Sequence, residues 1–340
     1  EAPVAVFQTE VTDMGDGASE TESGQAHAGK ADLVLLPDNP PPQGAEVIWY
    51  EGRGGLRLRM LYAPEPKDNG VKTRGLAIVC PGRTEFIEKY FEVARDLQER
   101  GFAVAIFDWP GQGLSERPLK NAMAGHIKSF DWYVDALMRG LAKIERRAPK
   151  TWVVVAHSMG GTIALEALAE RKLTVVAAAF SAPMWGIPIW FFQRWYGRTM
   201  RAIGAGAMQA RPPQPDETFE NNQLTHDEPR WQLYRRLVEA EPRLALGEPT
   251  IAWVVSALNA FRGLFAPNAL NALRDLPVLV AVASEETVVK KSAQRKLARN
   301  FKAGKVINVQ GAGHEILMET DERRDQFWKA FEDMCSRAKI

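Results

Sequence analysis

The chain predicts an α/β fold with a mostly parallel central sheet, and three observations carry that prediction. Short apolar runs rich in β-branched residues alternate with segments of good helix propensity. One such run, Thr151-Trp-Val-Val-Val-Ala156, breaks into a sharp turn, His157-Ser-Met-Gly-Gly161, and then into helix-forming Thr162-Ile-Ala-Leu-Glu-Ala-Leu-Ala169. At 340 residues the chain is long enough for one large core plus an insertion.

Residues 1–44 are expected to form a flexible acidic arm. They carry Gly, Ser, Asp and Glu clusters such as Gly15-Asp-Gly-Ala-Ser-Glu20 and end in Asn39-Pro-Pro-Pro-Gln43, with one apolar patch, Leu33–Pro37, suited to docking. Alternation in Val47-Ile-Trp-Tyr50 and Leu56-Arg-Leu-Arg-Met-Leu61 predicts a hairpin that opens the sheet. Strands over 75–80, 102–107, 151–156 and 174–180 then alternate with helices over 88–100, 126–147 and 159–171, the pattern of right-handed crossovers. Asp108, at the end of one strand, is expected to fix the Gly111-Gln-Gly113 turn. The alternation stops between residues 181 and 274, where five of the ten tryptophans lie, and resumes with strands over 276–283 and 305–309. The core is therefore expected over 45–180 and 275–340, with 181–274 a helical cap insertion above the strand C-termini.

The turn at Ser158 carries the chemistry. A serine between a buried strand and a helix has its hydroxyl pushed out of the sheet, and the N–H of Met159 lies at the helix start, ready to face an oxyanion. Ala156 stands where the usual G-x-S-x-G pattern has its first glycine. A hydroxyl needs a base, and that base needs a carboxylate to orient it. Of the five histidines, His314 has the fitting context: the glycine-rich loop Gly311-Ala-Gly-His-Glu315 after an apolar strand. His157 adjoins the serine but points away along the turn. The acid is expected in the loop Ser284-Glu-Glu-Thr-Val-Val289, where Glu285 and Glu286 compete. A second oxyanion donor is expected after the strand Gly75–Pro81, where the bend at Gly82 lets the Arg83 N–H point at the same oxygen. No metal or organic cofactor is required by this chemistry.

Several segments, in order, resemble the lysophospholipase L2 and monoglyceride-lipase branch of the α/β-hydrolases. They are Pro81-Gly-Arg-Thr-Glu-Phe-Ile-Glu-Lys-Tyr90, Phe107-Asp-Trp-Pro-Gly-Gln-Gly-Leu-Ser115, Ala156-His-Ser-Met-Gly-Gly161, Ser181-Ala-Pro-Met184, Leu224-Thr-His226, Glu285-Glu-Thr-Val-Val289 and Gly311-Ala-Gly-His-Glu-Ile-Leu317. The likeness to lysophospholipase L2 is the nearer, through Pro-Gly-Arg, the alanine before His-Ser-Met-Gly-Gly, and His-Glu-Ile-Leu. The resemblance implies an α/β-hydrolase fold and a triad of Ser158, Glu286 and His314, selecting Glu286 over Glu285. It implies a serine esterase acting on a single-chain lipid, most naturally a lysophospholipid. Monoacylglycerol lipase, general carboxylesterase and transacylase are its nearest alternatives; a non-catalytic lipid-binding protein is the alternative of another class. Met184 and Trp185, just past a strand end, are expected nearest the substrate. Ile187–Trp195 is apolar enough to line an acyl pocket or dip into a membrane interface.

Composition bounds the partners. The net charge of +1 hides an asymmetry: residues 1–46 hold nine acids against the single base Lys30, about −8, which leaves about +9 on the rest. A basic body fits anionic lipid surfaces, and no motif supports nucleic-acid binding. Cys80 and Cys335 form no disulfide framework or metal spacing, which fits a reducing compartment. The expected location is the cytoplasm, with peripheral contact at the inner membrane face.

Overall fold

Strand pairing in the computed structural model, which describes residues 32–66, 70–188, 191–212 and 218–340 (backbone only for 191–196), builds one eight-stranded sheet. Its strands are β1 (Glu46–Glu51), β2 (Arg57–Ala63), β3 (Gly75–Cys80), β4 (Phe102–Asp108), β5 (Trp152–His157), β6 (Ala177–Ser181), β7 (Val278–Ala283) and β8 (Gly304–Val309), in the order β1-β2-β4-β3-β5-β6-β7-β8. The hairpin β1–β2 and the β2–β4 pair are antiparallel, and every later pairing is parallel.

The central strands are apolar on both faces because both faces are covered. Ile78, Phe107, Val154 and Phe180 point into one core, while Val79, Ile106, Val155 and Leu279 point into the other. The first face is covered by helices α2 (Asp131–Ile144) and α3 (Ser158–Ala169), and the second by α1 (Phe91–Glu99) and the last helix of the chain (Asp321–Arg337). Between β6 and β7 lie α4 (Phe191–Ala202), α5 (Glu228–Ala240) and α6 (Ile251–Leu264); α7 (Lys291–Ala298) follows β7, which makes the last helix α8.

Some expected boundaries move for identifiable reasons. The helix expected from 126 begins at Asp131, because His126 is tied through Nδ1 to Thr250 Oγ1 at 3.0 Å and Gly125 bridges to Pro249. The strand expected from 276 begins at Val278, after Pro277, which has no N–H to give the ladder. Of the arm expected over 1–44, residues 1–31 lie outside the described residues. From Val34 the chain is hydrogen-bonded to the body: Val34 N–H donates to Glu88 Oε1 (3.1 Å), Asn39 Nδ2 to Glu88 O (2.8 Å), and Gln43 N–H to Gln98 Oε1 (2.9 Å).

Glu88 is also one corner of a fully buried charge cluster. Arg59 on β2 reaches Glu88 with Nη1 (2.8 Å) and Nη2 (2.9 Å), and Asp108 Oδ2 with Nε (2.8 Å). Asp108 in turn accepts the N–H groups of Ile87 (2.9 Å) and Leu114 (2.8 Å). It thus fixes the turn after β4, and a Cβ on Gly113 would lie 2.1 Å from its carboxyl. Replacing Arg59 by methionine would leave two carboxylates buried without a cation. The expected loss of stability is about 3–5 kcal/mol in denaturant unfolding, and a change under 1 kcal/mol would show that the cluster is not what holds the β2–β4 edge.

Candidate active site

Parallel pairing puts the C-terminal ends of β3, β5, β7 and β8 along one edge of the sheet, and the loops leaving that edge bring the candidate residues together. Cys80 pairs with Ala156, His157 with Ser181, and Ala283 with Val309. Such an edge is where open α/β sheets hold their ligands.

Ser158 follows β5 with φ 47°, in the left-handed region that a side chain adopts only when its surroundings impose it. Here the imposition is the start of α3 pressing on the end of β3. A Cβ on Gly160 would lie 2.0 Å from Cys80 O, so only glycine allows the approach. Ala156 sits with its methyl fully buried in the core. Met184 N–H donates to Ser158 O at 2.8 Å, holding the turn from the far side.

His314 Nε2 lies 2.9 Å from Ser158 Oγ, and its Nδ1 lies 2.7 Å from Glu286 Oε2. All three residues are buried. The other oxygen of Glu286 accepts the N–H groups of Val288 (2.8 Å) and Val289 (3.1 Å). Burial works against the charge on Glu286, but the hydrogen bond to His314 and those backbone donors hold its carboxyl below the usual range. A carboxylate so held accepts a hydrogen bond from Nδ1–H, which leaves Nε2 as the acceptor that faces the serine. Glu285 lies apart from this series: it is exposed and 3.1 Å from His226 Nε2, whose Nδ1 meets Glu319 Oε1 at 2.8 Å.

The two residues expected to give oxyanion donors, Met159 and Arg83, lie on the turns that follow β5 and β3. Met159 is in the first turn of α3, where backbone N–H groups have no intrahelical acceptor. In the turn after β3, Gly82 N–H is taken by Glu85 and Thr84 N–H by Gln112 Oε1 (3.3 Å). The Arg83 N–H between them has no protein acceptor among the described residues. Gln112 Nε2 also donates to Gly82 O at 3.1 Å, so one amide braces the turn on two sides.

Sequence reasoning missed this bracing and a buried ionic bridge beside it. Glu85 Oε1 and Glu315 Oε1 share the Lys89 ammonium (2.9 and 2.6 Å), and Glu85 Oε2 accepts both Gly82 N–H and the Tyr90 hydroxyl (2.7 Å). Burial opposes the charge on Glu85, but Lys89 outweighs it and holds the carboxyl at about 2. The bridge ties the turn after β3 to the loop that carries His314. Its signal was present: three charged residues in the otherwise apolar Glu85-Phe-Ile-Glu-Lys-Tyr90, and a glutamate directly after the histidine. The same loop is held from the other side by backbone alone, Glu315 N–H to Leu224 O (2.8 Å) and His314 N–H to Gln223 O (3.3 Å), which no side-chain pattern announces.

Met184 and Trp185 are both buried. Trp185 donates its indole N–H to Gly161 O (3.2 Å) and packs edge-on against Phe180. With Ile187, Leu258, Phe261 and Phe265 it lines a cavity of about 560 Å³ that none of Ser158, Glu286 and His314 borders. Trp190 and the side chain of Trp195 lie outside the described residues.

His157 is buried against the base, with ring centroids 4.8 Å apart, and its Nδ1–H donates to Ser181 O at 3.0 Å. Burial lowers its pKa from 6.5 to about 4, against the pull of Glu85. Between those values the unfolded chain binds a proton that the folded chain does not, so this residue removes stability as pH falls from 6.5 towards 4. His157→Gln should flatten the fall in denaturant midpoint over that window. An unchanged slope would mean that other groups govern the acid limb.

Residues 71–321 match the family model described as serine aminopeptidase, S33. The chain is 32% identical over 282 residues to lysophospholipase L2 of Escherichia coli K12, covering 77% of this chain and 80% of that protein. It is 29% identical over 293 residues to a probable lysophospholipase L2 of Haemophilus influenzae, covering 83% and 89%. In fold it is similar to a soluble variant of monoglyceride lipase from Saccharomyces cerevisiae, solved with a substrate analog (TM-score 0.67, 18% identity, 90% of this chain and 98% of that one). It is also similar to a thermostable carboxyl esterase from Bacillus coagulans (TM-score 0.66, 17% identity, 86% and 97%). At such identities the two structures speak for the fold alone. With its serine turn, eight-stranded sheet and family match, the chain belongs to the S33 serine hydrolases of the α/β-hydrolase fold.

Proposed function

We propose that this chain hydrolyses the ester of a single-chain lipid, a lysophospholipid, through an acyl-enzyme. The hydrogen-bonded series Glu286–His314–Ser158, with the serine hydroxyl at the C-terminal edge of the sheet, is the observation that supports the reading most strongly. The lysophospholipase L2 relatives support the choice of substrate.

In this reading His314 Nε2 takes the proton of Ser158 Oγ as the oxygen attacks the acyl carbonyl carbon. Negative charge then develops on the carbonyl oxygen, facing the N–H groups of Arg83 and Met159; each such donor is worth about 3 kcal/mol in the transition state. Collapse of the tetrahedral intermediate breaks the ester bond, and the proton on His314 goes to the departing glycerol oxygen. Water then loses a proton to Nε2 and attacks the acyl-enzyme, releasing the fatty acid and restoring Ser158. Glu286 stays ionised throughout and stabilises the imidazolium.

Residues 181–274 act in this reading as the cap, with Met184 flanking the acyl group and Trp185 forming a cavity wall. The enzyme works at the inner membrane face through peripheral contact with an anionic surface. The excess of basic residues after residue 46 supports this, as do Ile203 and Met208, 70% and 56% exposed beside α4. No helix among the described residues is long and apolar enough to cross a membrane.

The test is fatty-acid release from matched lysophosphatidylcholine, lysophosphatidylethanolamine, monoacylglycerol and a short soluble ester. Lysophospholipids should be preferred, and a preference for the neutral esters would move the assignment to a lipase or esterase. Ser158→Ala and His314→Ala should each lower kcat by about 10,000-fold or more while leaving the thermal unfolding midpoint near wild type. A folded Ser158→Ala protein with normal turnover, or a wild type inert to a fluorophosphonate, would refute the mechanism.

A further inference from the structure

Arg83 differs from the buried arginines Arg59 and Arg324 in having no carboxylate partner among the described residues. Arg59 is held by Glu88 and Asp108, Arg324 by Glu92 and Asp96, and Arg230 by Glu92 and Asp227. The half-buried Arg83 side chain donates to Gly247 O, its Nε–H is buried without an acceptor, and no ion pair is formed among the described residues. Its guanidinium lies 5.6 Å from the centre of the Trp253 ring. Gly125 leaves it room: a Cβ there would come within 2.6 Å of Nη2. The nearby carboxylate of Glu248 is engaged by Arg211.

This cation is carried by the residue whose backbone N–H is one of the two oxyanion donors. We propose that the Arg83 guanidinium is the phosphate subsite of the active site, binding the phosphodiester of a lysophospholipid while the same residue's N–H faces the ester oxyanion. The proposal rests on the lysophospholipid reading above and names the residue that selects that substrate.

Chain lengths agree with it. In a 1-acyl lysophospholipid six bonds separate the acyl carbonyl carbon from the phosphorus: through the ester oxygen, three glycerol carbons and the phosphoester oxygen. Six bonds also separate the Arg83 backbone nitrogen from the guanidinium carbon. Either path spans at most about 7 Å when extended, so the two match in reach, and in this proposal the phosphate meets the guanidinium while the oxyanion faces the N–H. A phosphodiester has two free oxygens and one negative charge, the partner that a planar fork of donors binds best. Burial lowers the Arg83 pKa to about 10, with Glu248 opposing, so the group remains a cation at neutral pH. A monoacylglycerol has a hydroxyl in place of the phosphate and leaves the cation unmatched. The energetic consequence is discrimination between two substrates that share the same reacting bond.

The experiment measures competitive inhibition of short-ester hydrolysis by sn-glycerol 3-phosphate, together with kcat/KM for lysophosphatidylcholine and monoacylglycerol, in wild type and Arg83→Gln. Every variant keeps the backbone N–H. Arg83→Gln should raise the inhibition constant at least tenfold, and should lower kcat/KM for the lysophospholipid about 10- to 100-fold more than for the monoacylglycerol. Arg83→Lys keeps the charge and loses the fork; it should lose several-fold of the same ratio, and it carries the test should the glutamine variant fail to fold. Equal losses on both substrates would make Arg83 only a strap to Gly247 and overturn the proposal, as would inhibition that is absent or identical in both proteins. Arg83-dependent inhibition by inorganic phosphate without any change in the substrate ratio would mark a free-phosphate site and overturn the head-group assignment. If the wild type does not turn over lysophosphatidylcholine at all, the functional reading falls, while Arg83-dependent glycerophosphate inhibition would still uphold the anion subsite.

Discussion

The left-handed backbone of Ser158 exists only because α3 begins within touching distance of the end of β3. That approach needs Gly160, whose hydrogen occupies the place where a Cβ would meet Cys80 O. The parallel register of β3 and β5, with Cys80 beside Ala156, sets the distance. One close contact therefore aims the serine hydroxyl outward, starts a helix whose free N–H groups face the same way, and places the turn after β3 beside both. A strained conformation of this kind costs of order 1–3 kcal/mol and persists because packing around it leaves no alternative. The fully buried strands on either side supply that packing.

Around this constraint a few charges lie in buried clusters. Arg59 joins Asp108 and Glu88, so that the turn after β4 and the segment from Val34 to Asn39 depend on one group. Lys89 joins Glu85 and Glu315, so that the oxyanion turn and the base loop depend on another. A buried ion pair adds little net stability over apolar residues of the same shape, but it makes any movement of its members expensive. For an active site assembled from four separate loops, fixed relative position is what the chemistry needs.

The segment between β6 and β7 contributes in a less visible way. Gln223 and Leu224 offer backbone carbonyls to the loop of His314, and Gly247 accepts from Arg83. Groups from this segment thus touch both the loop of His314 and the turn after β3. Electrostatics divides in the same manner: Glu286 is kept charged by its partners, whereas His157, 4.8 Å from His314, is kept neutral by burial and adds no second cation beside the base.

By itself the sequence determined the class of fold and the chemical identity of the site, because both rest on local patterns. Apolar runs alternating with helical segments specify a parallel sheet, and a serine between a β-branched strand and a helix start specifies an outward hydroxyl. Glycine-rich context marked His314, and strand-end context marked Gly82 and Arg83. The choice between Glu285 and Glu286 came from resemblance, since two adjacent carboxylates are locally equivalent. Only the tertiary structure separates them by what surrounds each: two backbone donors and His314 for Glu286, and His226 for Glu285. The structure also decided what no spacing encodes. It made Gln112 a brace and joined Glu85 to Glu315 across 230 positions of chain, and it left the Arg83 guanidinium without a carboxylate among the described residues. Such facts depend on which loops share an edge of the sheet, and strand order, a long-range property, sets that.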